Sequence, residues 1–431
     1  VFENAYATGP VTTESFPGIL AGRLSTQCAA GGNLYQKRIP DDEPTLATHL
    51  HDRGYDTIGV ISNPRIGSHV DTDRGFEIFK NLRTGDKSTE DENILRLLLP
   101  DLQVGERLYQ LRERMRNHDS VAYRYKAPFM GFRTYQYLTG WPSVRGTRVV
   151  EEFLDELAEA SGRFFAWTHL MDVHGPIHPQ SVAESEFATS GILSQFQSHA
   201  KRVSDVCDMT TEARYDSAVQ HVDSQIQRII NWLQSSNLWE ETTLIVTADH
   251  GDALYDRGIY GHPQHYLYDE LLSVPLIIRV PGRDGSRISQ SFSLGWLHEI
   301  VSELTELPRM NVPLSSAEEQ THLKNSSKDS IIIASSASHR GQSIVTRYQG
   351  QKYIKQVGEL SGDELRVSQP GLYNLELDPG ERNPTQDTVT TLERAAESIE
   401  IEEPEVLRSR GKQTSIMEST KDRLKQLGYA E

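Results

Sequence analysis

Apolar positions along this chain follow two rhythms. Unbroken apolar runs bounded by turn residues lie at 57–61, 164–170, 243–247 and 274–280. Runs of that length and texture read as strands buried on both faces. Between them the spacing becomes helical. The clearest case is 214–233, where Tyr215, Val219, Val222, Ile226, Ile229 and Leu233 recur at steps of four, three, four, three and four. Residues 45–53 and 147–160 carry similar patterns. Strands alternating with helices predict an α/β fold whose mostly parallel sheet is flanked by helices. In such folds the functional groups sit on loops at the carboxyl ends of strands.

Elsewhere the rhythm changes. Residues 82–142 are charged and aromatic without a clean period, and read as a helical insertion able to cover a site. Beyond Pro308 come short strand-like runs at 330–334, 343–348, 352–357 and 372–377, which predict a small antiparallel sheet. Residues 393–405 are acidic and read as solvated, and 421–428 as a terminal helix ended by Gly428. The expected organisation is a catalytic α/β domain over 1–310, a small C-terminal sheet over 311–388, and an acidic tail with a helix over 389–431.

Composition narrows the function. Asp and Glu number 61 against 44 Lys and Arg, a net charge of -17, and only 12 of the basic residues are Lys. This balance suits solubility in concentrated salt, the expectation for a halophilic, archaeal source, and it disfavours a nucleic-acid partner. Two cysteines, Cys28 and Cys207, are too few for a disulfide framework and read as two buried thiols, with a single bridge as the alternative. No stretch is apolar enough to span a membrane, so a cytoplasmic location is the default expectation. The chain opens on Val1 in mid-pattern, which leaves any signal peptide undecided.

The strongest chemical signal follows the 243–247 run, which delivers Asp249, His250, Gly251 and Asp252 in succession. A carboxylate and an imidazole on one turn suit a divalent metal. Taken alone, the pair reads equally well as a helix cap beside a surface histidine. Further along stand Gly258-Ile-Tyr-Gly-His262, Leu267-Tyr-Asp-Glu270 and Val274-Pro-Leu-Ile, up to Val280-Pro-Gly282. Upstream are Phe164-Phe-Ala-Trp-Thr-His169-Leu-Met-Asp172-Val-His174-Gly-Pro176 and the Ser62-Asn63-Pro64 turn. Near the end stand Leu372-Tyr-Asn-Leu-Glu-Leu-Asp378-Pro-Gly-Glu381 and Leu424-Lys-Gln-Leu-Gly-Tyr429.

Together these motifs resemble the sulfatase family of the alkaline-phosphatase superfamily, across most of the chain. The resemblance implies an alkaline-phosphatase-like fold and a metal-dependent hydrolase of sulfate or phosphate esters. It places the nucleophile between the Asn4-Ala-Tyr6 run and Gly22, and counting ten back from Gly22 gives Thr12, with Thr13 as competitor. From the residues alone, both threonines could simply cap a helix starting near Glu14. Sulfatases proper carry a Cys or Ser there, oxidised to formylglycine; a threonine cannot supply that aldehyde, so no formylglycine is expected. The substitution shifts the expected substrate towards phosphate esters, because a Thr ester must be cleared by water attacking phosphorus or sulfur.

Two other departures remove cationic contacts. Phe16 stands where the family has an Arg, and Ser62-Asn63-Pro64 where it often has a Lys–His pair. The resemblance makes Asp249, His250 and Thr12 ligands of one divalent ion (Ca, Mg, Mn or Zn). Thr12, His174 and His262 become the catalytic set, and Asn63, His174 and His262 the substrate contacts. His169 is an ambiguous core histidine, His178 and His265 read as surface residues, and Asp223 as structural. The family's further metal carboxylates, from a central strand ahead of the Asn4 run, have no counterpart; Asp41-Asp42 reads as the approach to a helix. The sequence is then a fragment or a degenerate copy, with neighbouring strands left unpaired. The expected partner is a small-molecule or glycan ester. The rival readings are a phosphotransferase passing a head group to a glycan or lipid, and an inactive relic with a binding or structural role.

Overall fold

The computed structural model describes residues 1–30, 37–82, 144–175, 177, 209–308, 310, 331–338, 341–358, 360, 366–385, 387 and 389–399. The proposed insertion, the terminal helix, His178 and Cys207 lie outside them.

Two sheets form the body. In the first, β1 (Phe2–Tyr6) pairs in parallel with β7 (Ile288–Ser293) and antiparallel with β6 (Ser273–Arg279), which pairs antiparallel with β5 (Leu244–Thr247). In the second, β2 (Asp56–Ile61) is flanked in parallel by β3 (Ile78–Asn81) and β4 (Phe164–His169). Three of these five pairings are therefore parallel. The edge strands β4 and β5 each have one partner among the described residues and are half-buried along their whole length. Both pack through Phe165 and Ile245 against one apolar cluster that includes Leu46, Leu50 and Val301.

Helices cover these sheets as the apolar spacing requires. In α3 (Gly146–Ala158), Val149, Val150, Phe153 and Leu157 form one stripe against Ile58 and Val60 of β2 and Ile229 and Leu233 of α4 (Met209–Ser235). The α4 stripe holds only in part, because Val219 is 46% exposed while Ala218, Gln225, Ile229 and Leu233 are buried. The buried face is centred on Ala218, Gln225 and Ile229, to one side of the predicted stripe, and Val219 lies about 100° round the helix from Ala218. Further helices are α1 (Thr12–Ala21), α2 (Leu46–His51), begun by the side chain of Thr45 accepting from Thr48 N, and α5 (Leu297–Thr305). Asp41 and Asp42 precede α2 in a loop, where Asp41 pairs with Arg38.

The C-terminal region forms the expected antiparallel sheet, β8 (Ile332–Ser338), β9 (Gly341–Tyr348), β10 (Gln351–Gly358) and β11 (Gly371–Asn374). It does not stand apart: Ile332, Ala334, Val345, Ile354 and Tyr373 join the buried cluster of Tyr6, Leu276 and Phe292 from the first sheet. The acidic stretch after Val389 is not simply solvated. Its start folds as α6 (Thr390–Glu397), with Leu392 and Ala396 buried, because two apolar positions four apart face the sheet.

Candidate active site

Thr12 is the first residue of α1. Val11 occupies the cap position without a side-chain hydrogen bond, so neither Thr12 nor Thr13 caps a helix starting at Glu14. This placement puts the Thr12 hydroxyl at the positive end of a ten-residue helix, a favourable position for an anion. Its Oγ1 lies 3.3 Å from His250 Nε2.

The Asp249-His250-Gly251-Asp252 run leaves the end of β5 and turns back. Gly251 N donates to Leu271 O at 2.8 Å, and a Cβ at Gly251 would lie 2.1 Å from Glu270 O. The close approach explains the glycine. His250 Nδ1 donates to Gly251 O at 2.7 Å, which leaves the lone pair on Nε2 facing Thr12. Burial holds His250 below the usual imidazole range, against the pull of Asp249. For Asp249, burial pushes the carboxyl up, but His250, His169 and the Thr12 hydroxyl outweigh it and leave it below the usual carboxylate range.

Next, a short hairpin pairs Ala253 with Gly261 and Leu254 with Tyr260. That register sets Asp252 opposite His262, and His262 Nδ1 donates to Asp252 Oδ1 at 2.7 Å. Burial raises the Asp252 carboxyl, yet His262 and the hydrogen bond from it keep Asp252 below its ordinary range. The His262 ring centroid is 4.6 Å from that of His250 and 5.0 Å from that of His174. The structure thus gathers Thr12, Asp249, His250, His174 and His262. Asp252 is a functional candidate that the sequence reading left without a role, although it lies in the same run; only the hairpin register shows its partner.

His174 Nδ1 donates to Gly175 O at 2.7 Å, and burial, reinforced by His262, pulls its pKa down to about 3. Asn63 reaches the cluster indirectly. Its Oδ1 accepts from Arg65 N at 2.9 Å, which turns Nδ2 towards His169 Nε2 at 3.4 Å. His169, at the end of β4, interacts electrostatically with Asp249 and His250, and its ring lies 5.3 Å from that of Phe16. Phe16 and Asn63, the two departures from the family pattern, therefore meet at one histidine. His265, expected at the surface, is buried among Ser336, Ser338 and Ser343 because β8 and β9 cover it. Asp223 is exposed on α4.

For a metal, the fit is incomplete but chemically sound. Asp249 Oδ2 is buried and has no hydrogen-bond partner among the described residues, and Thr12 Oγ1 and His250 Nε2 stand beside it. An oxygen-rich trio of this kind suits a divalent ion, though such an ion commonly takes about six or more ligands. Among the described residues no three His, Cys, Asp or Glu side chains converge on one point.

The chain is 25% identical to human iduronate 2-sulfatase over 316 residues, 66% of this chain and 54% of that one. It spans about half the length of the curated relatives that it matches most broadly. Over 79 residues, 18% of this chain and 12% of the other, it is 37% identical to the inner membrane protein YejM of Salmonella typhimurium. A phosphonate monoester hydrolase from Silicibacter pomeroyi shares the fold with a TM-score of 0.59 at 16% identity, over 95% of this chain and 87% of the other. No described helix is long and apolar enough to cross a membrane. The sulfatase family model matches residues 1–303, and the chain belongs to the sulfatase family.

Proposed function

We propose that this chain hydrolyses phosphate diesters or related sulfate and phosphate esters through Thr12 as nucleophile. The observation that carries the reading is the Thr12 hydroxyl at the start of α1, 3.3 Å from the lone-pair nitrogen of His250. Relatives named as a sulfatase and as phosphonate monoester hydrolases support the ester class.

Thr12, Asp249 and His250 would hold a divalent ion, which when bound neutralises substrate charge and acidifies the Thr12 hydroxyl. The α1 amino terminus orients the anion of the substrate. Thr12 Oγ attacks phosphorus or sulfur as the alkoxide, its proton having passed to solvent, and the bond to the leaving oxygen breaks. His262 delivers a proton to that oxygen, with Asp252 compensating the charge that His262 carries beforehand. Water then attacks the Thr12 ester, gives its proton to His262, and frees the Thr12 oxygen, which regains a proton. His174, neutral, accepts a hydrogen bond from substrate or water.

The test is hydrolysis of bis(p-nitrophenyl) phosphate, p-nitrophenyl phosphate and p-nitrophenyl sulfate by chain incubated with Ca, Mg, Mn or Zn, with metal content measured in parallel. Faster diester than sulfate cleavage that follows bound metal supports the reading. Faster sulfate cleavage would return the chain to sulfate chemistry, and turnover unaffected by chelation would remove the metal from it.

A further inference from the structure

Glu14 is 0% exposed and follows Thr12 by two residues on α1. Its Oε1 accepts from Gln264 Nε2 at 2.9 Å and from the backbone N of Ala337 at 3.0 Å, and the Ser336 hydroxyl hydrogen-bonds the same carboxylate. Gln264 follows His262 by two residues, and Ala337 lies in β8. One buried carboxylate therefore joins the helix of Thr12, the loop of His262 and the C-terminal sheet.

Two further features show how tightly this junction is set. A Cβ on Gly9 would lie 2.7 Å from Glu14 Cβ, so the side chain is wedged against the backbone that leads into Thr12. The same strand also holds both flanks of the site. Ser335 N donates to Thr8 O at 2.9 Å, and His265 N donates to Ser336 Oγ at 3.0 Å. Burial raises the Glu14 carboxyl against the pull of Lys37, itself 2% exposed and lowered by its own burial. A buried carboxylate is expensive unless it is paired and hydrogen-bonded, and an apolar side chain would fill the same space at less cost. An apolar side chain could not grip the loop and the strand together.

We infer that Glu14 is a positioning residue that sets the separation of Thr12 from His262, and that the C-terminal sheet is the anchor against which it does so. The inference rests on the reading of those two residues given above. It makes the sheet part of the catalytic apparatus rather than an appendage.

The experiment uses the full chain with Glu14→Ala, Glu14→Gln, Gln264→Ala and Thr12→Ala. Misplacement of reacting groups by about 1 Å lowers turnover roughly a hundredfold. Glu14→Ala should therefore lower the kcat of the folded fraction by roughly ten- to a hundredfold with KM nearly unchanged. It should also lower Tm, because it leaves the Ala337 N–H and Gln264 without their acceptor. Gln264→Ala, which leaves the carboxylate in place, should reproduce part of the loss. Glu14→Gln, which keeps an accepting oxygen, should restore most of it. An unchanged kcat in Glu14→Ala, a loss matched by the unfolded fraction, or no rescue by Gln overturns the positioning role. Full turnover by Thr12→Ala overturns the nucleophile reading instead. Should the unmodified chain cleave none of the esters, the His262 ring resonances decide. Their displacement in the folded fraction of Glu14→Ala but not of Glu14→Gln supports the role, and undisplaced signals overturn it.

Discussion

His262 Nδ1 donates to Asp252 Oδ1 at 2.7 Å, across a hairpin whose register sets these residues opposite one another. A carboxylate on one ring nitrogen fixes the tautomer and supports a charge on the ring while the other nitrogen works. Asp252→Asn should lower kcat roughly a hundredfold on esters with alkoxide leaving groups, which need a proton. It should cost far less on p-nitrophenyl esters, whose leaving group departs unprotonated. Equal losses on both would show that His262 is not the acid.

Thr12→Ala should reduce kcat by roughly a thousandfold or more, since a nucleophile has no substitute. Thr12 is buried at a helix start but caps nothing, so Tm should move little. Thr12→Ser should keep measurable turnover. Intact-mass spectrometry after rapid quench should find the covalent adduct on the native chain and lose it in Thr12→Ala.

The depressed pKa of His174 has a consequence for stability. Burial holds the folded-state value at about 3, whereas an unfolded histidine titrates near 6.5. As pH falls below about 6.5 the unfolded chain binds a proton that the folded chain refuses, so stability falls from there down to about pH 3. At pH 5 the loss is about 2 kcal/mol at most, from about 1.4 kcal/mol per unit. Urea melts from pH 7.5 to pH 5 should show this slope, and His174→Gln should flatten it. An unchanged slope in that variant would mean that His174 is solvated in the native state.

Lys352 is 1% exposed and lies 2.8 Å from Asp269, while also pairing with Glu381. Lys352→Met takes the cation from buried Glu381 and leaves partly buried Asp269 with Arg347 alone, and should cost about 3–5 kcal/mol at neutral pH, read by chemical melts. Burial raises the Asp269 carboxyl, but Lys352 and Arg347 outweigh it and lower it to about 2. The pairing therefore contributes fully above about pH 4 and is lost as pH falls towards 2. A destabilisation in Lys352→Met that is undiminished at pH 2 would contradict the ionic account.

Much of this molecule was legible in the order of its residues. The runs at 57–61, 164–170, 243–247 and 274–280 form strands, but only 57–61 is buried along its length; 164–169 and 244–247 are half-buried, and 273–279 buries only Val274 and Leu276. Asp249 and His250 were readable as a pair because one turn after one strand carries both, and Thr12 was found by its distance from Gly22 within a family pattern. Strand β1 escaped notice, since Phe2-Glu-Asn-Ala-Tyr6 is only five residues long and neither alternates nor runs unbroken in apolar positions. Where tertiary packing overrode local texture the reading failed. His265 looks like a loop histidine until β8 and β9 close over it, and the buried face of α4, set by Ala218, Gln225 and Ile229, turns away from Val219.

What the sequence determined by itself was the set of chemical groups and the strands and helices that carry them, because these depend on residue type and short-range periodicity. What only the tertiary structure decided was which groups meet. Asp252 finds His262 through a hairpin register, Phe16 and Asn63 meet at His169 from three separate elements, and Glu14 binds Gln264 and Ala337 from far along the chain. Such contacts depend on the packing of distant segments, and no local pattern encodes their distances.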